Sequence, residues 1–188
     1  CSLRFYFAGK WANINTKSYP FYKKINLHLV KEAHKFTKKN LNLKNCPTET
    51  RLHINQNMLA NIKKNLKPNM KNILIAPSGS GSTTMWHIDY FIDLMKKINS
   101  KLDCFFIIAL GSSEREVKIS EKITQSFEKN KTIILNDKTI SEAMPFIACC
   151  HLSICNDTSF QHLSCQLDVP TLILRFDTPS AYSSYSKL

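Results

Sequence analysis

The sequence predicts an α/β protein: a doubly wound parallel sheet preceded by a basic helical segment. Three observations carry this. Five short apolar runs, at 73–76, 104–110, 132–135, 152–155 and 171–174, alternate with amphipathic stretches at about 87–98, 114–128, 140–149 and 159–167. The runs are apolar nearly throughout, as strands covered by helices on both faces must be. Before residue 72 the pattern is helical instead, and almost all of the net charge lies there.

Taken in order, residues 1–25 are aromatic and basic (Phe5, Tyr6, Phe7, Trp11, Tyr19, Phe21, Tyr22) and show no clean period. Residues 26–43 read as a helix with Leu29, Val30, Ala33, Phe36 and Leu41 on one side, broken by Asn45-Cys46-Pro47. A second helix reads from about 54 to 66, with Ile54, Met58, Ile62 and Leu66 at steps of four, and Lys67-Pro68-Asn69 ends it. The strand and helix series follows without a repeat. This divides the chain into a basic segment, 1–71, and a sheet domain, 72–188.

Composition bounds the function. The chain has 188 residues, 43% hydrophobic and 21% charged, enough for a buried core and too apolar for a disordered chain. No run approaches the ~18 apolar residues of a membrane span. The seven cysteines include no Cys-x-x-Cys spacing, so they read as small buried hydrophobes in a reducing compartment. A metal site from Cys149, His151, Cys155 and His162 is therefore disfavoured, and no metal is expected. Residues 1–75 hold 15 Lys/Arg and 2 acids, a net of +13, whereas 76–188 hold 11 and 12, a net of −1. Such a basic part can attract nucleic acid, anionic lipid or phosphorylated ligands, or can be a solvated lysine-rich surface.

The candidate site follows from the strand order. In the common order 3-2-1-4-5 the chain reverses beside the first strand, and ligands bind in the crevice at the ends of strands one and four. Strand one runs into Pro77-Ser78-Gly79-Ser80-Gly81-Ser82-Thr83-Thr84, and strand four into Asn156-Asp157-Thr158-Ser159. Small residues before a helix let backbone N–H groups approach an anion, and Ser78, Ser80 and Thr83 can donate to phosphate oxygens. No Gly-Lys-Ser/Thr follows, so this is not a nucleotide-hydrolysing loop. The bland alternative is a polar turn. Asp157 can instead cap the next helix. His162 lies four residues after Thr158, on the same helix face. Glu114 follows strand two, where it can reach a ribose hydroxyl or simply favour the helix dipole. Trp86 can stack on a ring or anchor its helix in the core.

Together these residues resemble the C-terminal donor-binding half of the ADP-heptose:lipopolysaccharide heptosyltransferases, glycosyltransferase family 9. The resemblance rests on Ile75-Ala-Pro-Ser-Gly-Ser-Gly-Ser-Thr-Thr-Met-Trp86, on Gly111 with Glu114, on Ile140-Ser-Glu142, and above all on Asp157-Thr158-Ser159-Phe160-Gln161-His162 followed by Val169-Pro170-Thr171. The chain departs from the family pattern at Thr84, where a basic residue is usual, at Ser159, where glycine is usual, and at Phe176-Asp177. The resemblance implies a GT-B architecture, with this chain as its C-terminal, Rossmann-like half. Residues 1–71 then read as the interdomain tail of a preceding domain, which would carry the catalytic base. It implies transfer of heptose or a similar sugar from an ADP-sugar or other nucleoside-diphosphate sugar to a lipopolysaccharide or other surface-glycan acceptor. Donor and phosphate contacts fall on Ser78, Gly79, Ser80, Thr83, Thr84, Asp157, Thr158, Ser159 and His162, and the nucleoside contact on Glu114. The expected partners are the nucleotide-sugar, a glycolipid acceptor and an anionic membrane at the inner, cytoplasmic face, with no nucleic acid. The alternative is a non-catalytic basic module that binds nucleic acid or anionic lipid through residues 1–75.

Overall fold

The computed structural model describes residues 3–17, 29–48, 52–67, 69–79 and 85–176. They divide into two compact units with a boundary near residue 50. The first holds α1 (Leu3–Trp11) and α2 (Leu29–Leu41). α1 has no counterpart in the sequence reading, because its aromatic residues follow no helical stripe. Its end is well defined all the same. Asn13 takes φ 54°, and Ile14 N–H donates to Gly9 O at 2.8 Å. This closes the last turn in a Schellman motif. Gly9 makes room for the returning chain, since a Cβ there would lie 2.0 Å from the Thr16 methyl.

The second unit opens with α3 (Gln56–Asn65), capped by Asn55, whose side chain accepts from Asn57 and Met58 N–H. α3 packs against a later helix, α6, so it belongs to the sheet unit although its charge belongs to the basic segment. The jump in charge near residue 71 and the packing boundary near residue 50 are thus different boundaries.

Five strands follow: β1 (Lys71–Ala76), β2 (Cys104–Ile108), β3 (Thr132–Ile134), β4 (Leu152–Asn156) and β5 (Thr171–Leu174). They form one sheet in the order β3-β2-β1-β4-β5, every neighbouring pair parallel. This is the predicted order. The helices between them are α4 (Ile88–Asn99), α5 (Glu114–Ser126), α6 (Ile140–Ala148) and α7 (Ser159–Gln166). Side-chain alternation along the strands sorts two cores. Ile73, Ile75, Phe106, Ile108 and Ile154 pack with Phe91, Met95 and Ile123 of α4 and α5. Leu74, Ala76, Ile107, Ala109 and Cys155 face α6 and α7, with Ala143, Ile147, Phe160 and Leu163. Each fully buried Leu, Ile, Phe or Met side chain contributes roughly 1.5–3 kcal/mol of burial. With α4 and α5 on one face and α6 and α7 on the other, the chain must cross over between β3 and β4. The reversal falls between β1 and β4, and in such a sheet the C-terminal ends of those strands are where a ligand crevice is expected. No helix among the described residues is long and apolar enough to cross a membrane.

Candidate functional site

The crevice is built from three loops. After β1 come Pro77, Ser78 and Gly79. After β4 come Asp157 and Thr158, which lead into α7. After β2 comes Gly111, which leads into α5. The first two lie side by side, as the strand order requires. A Cβ on Gly79 would meet the Asp157 carbonyl oxygen at 3.6 Å and the Met85 side chain at 3.2 Å. The second distance is to a flexible side chain and the first is an ordinary contact, so the β1 loop lies directly against the β4 loop at this point. Ser80, Thr83 and Thr84 lie outside the described residues.

Asn156 joins the two loops. It is 0% exposed. Its Nδ2 donates to the Pro77 carbonyl at 2.7 Å, and its Oδ1 accepts from Trp86 N–H at 3.0 Å. Trp86 itself serves as the core anchor foreseen for it, stacked on Tyr90 at 5.6 Å and set edge-on to Phe91 at 5.1 Å.

The start of α7 differs from expectation. Its N-cap is Thr158, not Asp157, and no side chain caps it. Thr158 holds extended backbone angles, φ −147° and ψ 165°, so Asp157 is one residue too early to reach the first-turn N–H groups. The first turn of α7 therefore has no side-chain cap, and Asp157, just before it, lies against Gly79. Ser159 is the first residue of α7 and is exposed. Its backbone is outside the left-handed region, so a serine here carries no conformational strain. His162 is half-buried one turn further along.

Two acidic residues flank the third loop in different ways. Glu114 is exposed and pairs with Lys118 at 2.8 Å. It borders a groove of about 620 Å³ between α4 and α5, where Lys122 is in turn paired with Asp89 at 2.5 Å. Those pairs leave Arg115 as the excess charge of the groove lining. Glu116 is the acid in the crevice wall. Its Oε1 accepts from Gly111 N–H at 2.9 Å, and its Oε2 accepts from the Ser113 hydroxyl at 2.6 Å. Burial works to raise its pKa, but the Ser113 hydroxyl, Gly111 N–H and Ser78 hydroxyl hold it below the usual glutamate range. Glu116 thus closes the β2 loop on itself, from Gly111 to Ser113. The sequence reading passed over both Asn156 and Glu116. The Ser113-x-x-Glu116 spacing of a capping box was the available signal for the second. A polar residue closing an apolar strand was the signal for the first.

The disfavoured metal cluster is dispersed. His151 precedes β4 at the opposite end of the sheet, where its Nδ1 accepts from Asn72 N–H at 3.1 Å, while His162 lies on α7 beyond the other end. Burial raises the Cys150 thiol well above its ordinary range and pushes Cys155 up to about 12, as expected of inert core thiols. Among the described residues, no three His, Cys, Asp or Glu side chains gather as a metal site.

An open α/β sheet with an uncapped helix start at its switch point is the architecture of nucleotide- and phosphate-binding domains. Known proteins narrow this. The model of glycosyltransferase family 9 (heptosyltransferase) matches residues 7–182. A Haemophilus influenzae protein described as a glycosyltransferase is 26% identical over 63% of this chain and 34% of its own length. The family 9 glycosyl transferase of Veillonella parvula DSM 2008 superposes with a TM-score of 0.72 at 13% identity, over 94% of this chain and 51% of that one. The E. coli heptosyltransferase WaaC with ADP gives 0.64 at 13% identity, over 86% and 48%. The chain spans about half the length of these structures, and a third of the Haemophilus protein. It belongs to glycosyltransferase family 9, and its sheet unit has the Rossmann-like fold of those structures.

Proposed function

We propose that the crevice between β1 and β4 binds the diphosphate of a nucleotide-sugar, and that this chain supplies the donor half of a glycosyltransferase. The single observation that carries the reading is the uncapped start of α7 set against the Gly79 loop. In this reading the first-turn N–H groups of α7 and the N–H groups of Ser78 and Gly79 are the donors to that anion. Family membership, and a structural neighbour solved with ADP, support a nucleoside diphosphate as that anion. Heptose is the sugar that the family description favours, and a lipopolysaccharide or similar surface glycan is the acceptor in this reading.

The chemistry follows from the residues at hand. Displacement at the sugar's anomeric carbon puts negative charge on the departing diphosphate. The α7 dipole and the N–H groups and hydroxyls of Ser78, Gly79, Thr158 and Ser159 stabilise that charge as it develops. His162, one turn into α7, is assigned to the phosphates in this reading. A base that deprotonates the acceptor hydroxyl is assigned outside these residues.

Calorimetric titration with ADP tests the reading. Binding is expected in the parent protein, with a loss of about tenfold or more in His162→Ala and in Asp157→Ala. Equal affinity in the parent and both variants would sink it.

A further inference from the structure

We propose that Asn156 is a positioning residue that holds Pro77, just after β1, and Trp86, just before α4, in fixed relation to each other. The consequence for ligand binding rests on the nucleoside-diphosphate reading above; the structural part does not. The β1–β4 ladder runs from Ile73 opposite Leu152 to Ala76 opposite Cys155. The next step places Pro77 opposite Asn156. Proline has no N–H, so the backbone ladder cannot continue through it. The Asn156 side chain takes over, donating from Nδ2 to the Pro77 carbonyl at 2.7 Å. The same planar amide accepts from Trp86 N–H at 3.0 Å, two residues before α4. One buried group therefore holds both stems of the loop, one by a donor and the other by an acceptor.

Among side chains of this size, only the amide carries a donor and an acceptor on separate atoms. Aspartate offers two acceptors and no donor, alanine neither, and leucine fills the space without a polar atom. Asn156 also sits immediately before Asp157 and Thr158, so its rigidity is shared with the start of α7. Trp86 is held twice, by its backbone to Asn156 and by its ring between Tyr90 and Phe91. The positions of Gly79 and of the α7 start relative to each other thus depend on one amide. Asn156 touches no ligand in this scheme. It acts by holding the groups that do.

The test uses amide exchange and tryptophan emission in the ligand-free chain, then ADP titration. The chain has two tryptophans, so a Trp11→Phe background leaves Trp86 as sole reporter. Asn156→Ala is expected to speed exchange about tenfold at residues 78–79 and 85–87 while β1 and β4 stay protected. It is also expected to shift Trp86 emission to longer wavelength and to weaken ADP binding about tenfold. Asn156→Asp keeps the Trp86 acceptor and loses the Pro77 donor, so only residues 78–79 should open. Parent-like exchange at both stems in Asn156→Ala overturns the proposal. If that variant fails to fold, parent-like exchange at 78–79 in Asn156→Asp overturns it instead. If the parent takes no ADP, the ligand reading fails and the exchange result still decides the role of Asn156.

Discussion

Glu116 is the residue where burial and hydrogen bonding oppose each other most directly. Burial favours its neutral form, but its bonds from Ser113, Gly111 and Ser78 favour the charged form and prevail, so its pKa is lowered on folding. A depressed carboxyl contributes stability that is present above its unfolded value, near 4.5, and is lost as pH falls through the lower folded value. Glu116→Gln keeps the shape but turns an amide donor or a weaker acceptor towards these groups. It is expected to cost about 1 kcal/mol at neutral pH. Urea unfolding at pH 7 and again below pH 4 would show the gap closing as the parent's own carboxyl protonates. A gap of the same size at both pH values would contradict this account. Residues of this kind explain what stayed hidden in the sequence. Ser78, Gly79, Asp157 and Thr158 stood out because polar loops at strand ends are visible as composition. Asn156 and Glu116 did not, because their importance lies in partners 79 and 5 residues away, which only the fold brings together. The bland alternative for Asp157, a helix cap, fails by a single residue, which depends on where the backbone turns helical and not on residue type.

At the scale of elements, all five strands and the helices from α2 onwards were legible from the period of their apolar residues, and α2 keeps that period although none of its described residues is buried and Leu41 is 66% exposed. α1 was not, because its polar and aromatic residues obey no stripe. Element ends were legible only where side chains mark them. α7 illustrates this. It ends at Gln166, and the chain then turns through Asp168 at φ 58°. Val169 N–H donates to Ser164 O at 3.0 Å, and Asp168 N–H donates to Cys165 O at 3.3 Å. This Schellman closure is sealed by the burial of Val169, at 2% exposure, and is followed by Pro170. Asp168 itself is exposed and sits in a conformation that suits glycine. Asp168→Gly should therefore stabilise the unit by about 0.5–1 kcal/mol, which is a rise of roughly 1–4 °C in Tm for a chain of this size. Asp168→Val, β-branched in the left-handed region, should lower Tm. A lower Tm for the glycine variant would mean that the Asp168 side chain contributes something beyond the turn.

Across the whole molecule the most uneven quantity is charge, and it is legible from sequence alone. The net of +13 before residue 76 and −1 after it separates an attracting part from a neutral part that carries the crevice. Packing redistributes this, since α3 and its lysines join the sheet unit. Residues 51–75 contribute five cations and no acid to that unit. The cations of α2 and α3 are mostly exposed, and among the ion pairs of the described residues α2 supplies one, Lys35 with Glu32, at 2.9 Å. The glycolipid acceptor proposed above would lie at an anionic membrane surface. A basic flank would hold the donor site near it, on the cytoplasmic face in our reading, without any apolar insertion. Each Lys or Arg that reaches such a surface contributes about 1 kcal/mol, and the attraction decays within a Debye length of about 10 Å at 0.1 M salt. Co-sedimentation with vesicles is then expected to be strong on phosphatidylglycerol at low salt, absent on pure phosphatidylcholine, and largely abolished near 0.5 M salt. Replacing Lys63, Lys64 and Lys67 together by glutamine should weaken it several-fold while leaving ADP affinity unchanged, because those residues precede the sheet and lie away from its C-terminal end. Equal binding to neutral vesicles, or binding insensitive to salt, would reject the membrane role. Equally steep, salt-sensitive binding to a nucleic acid would return the basic part to the alternative of a general polyanion surface.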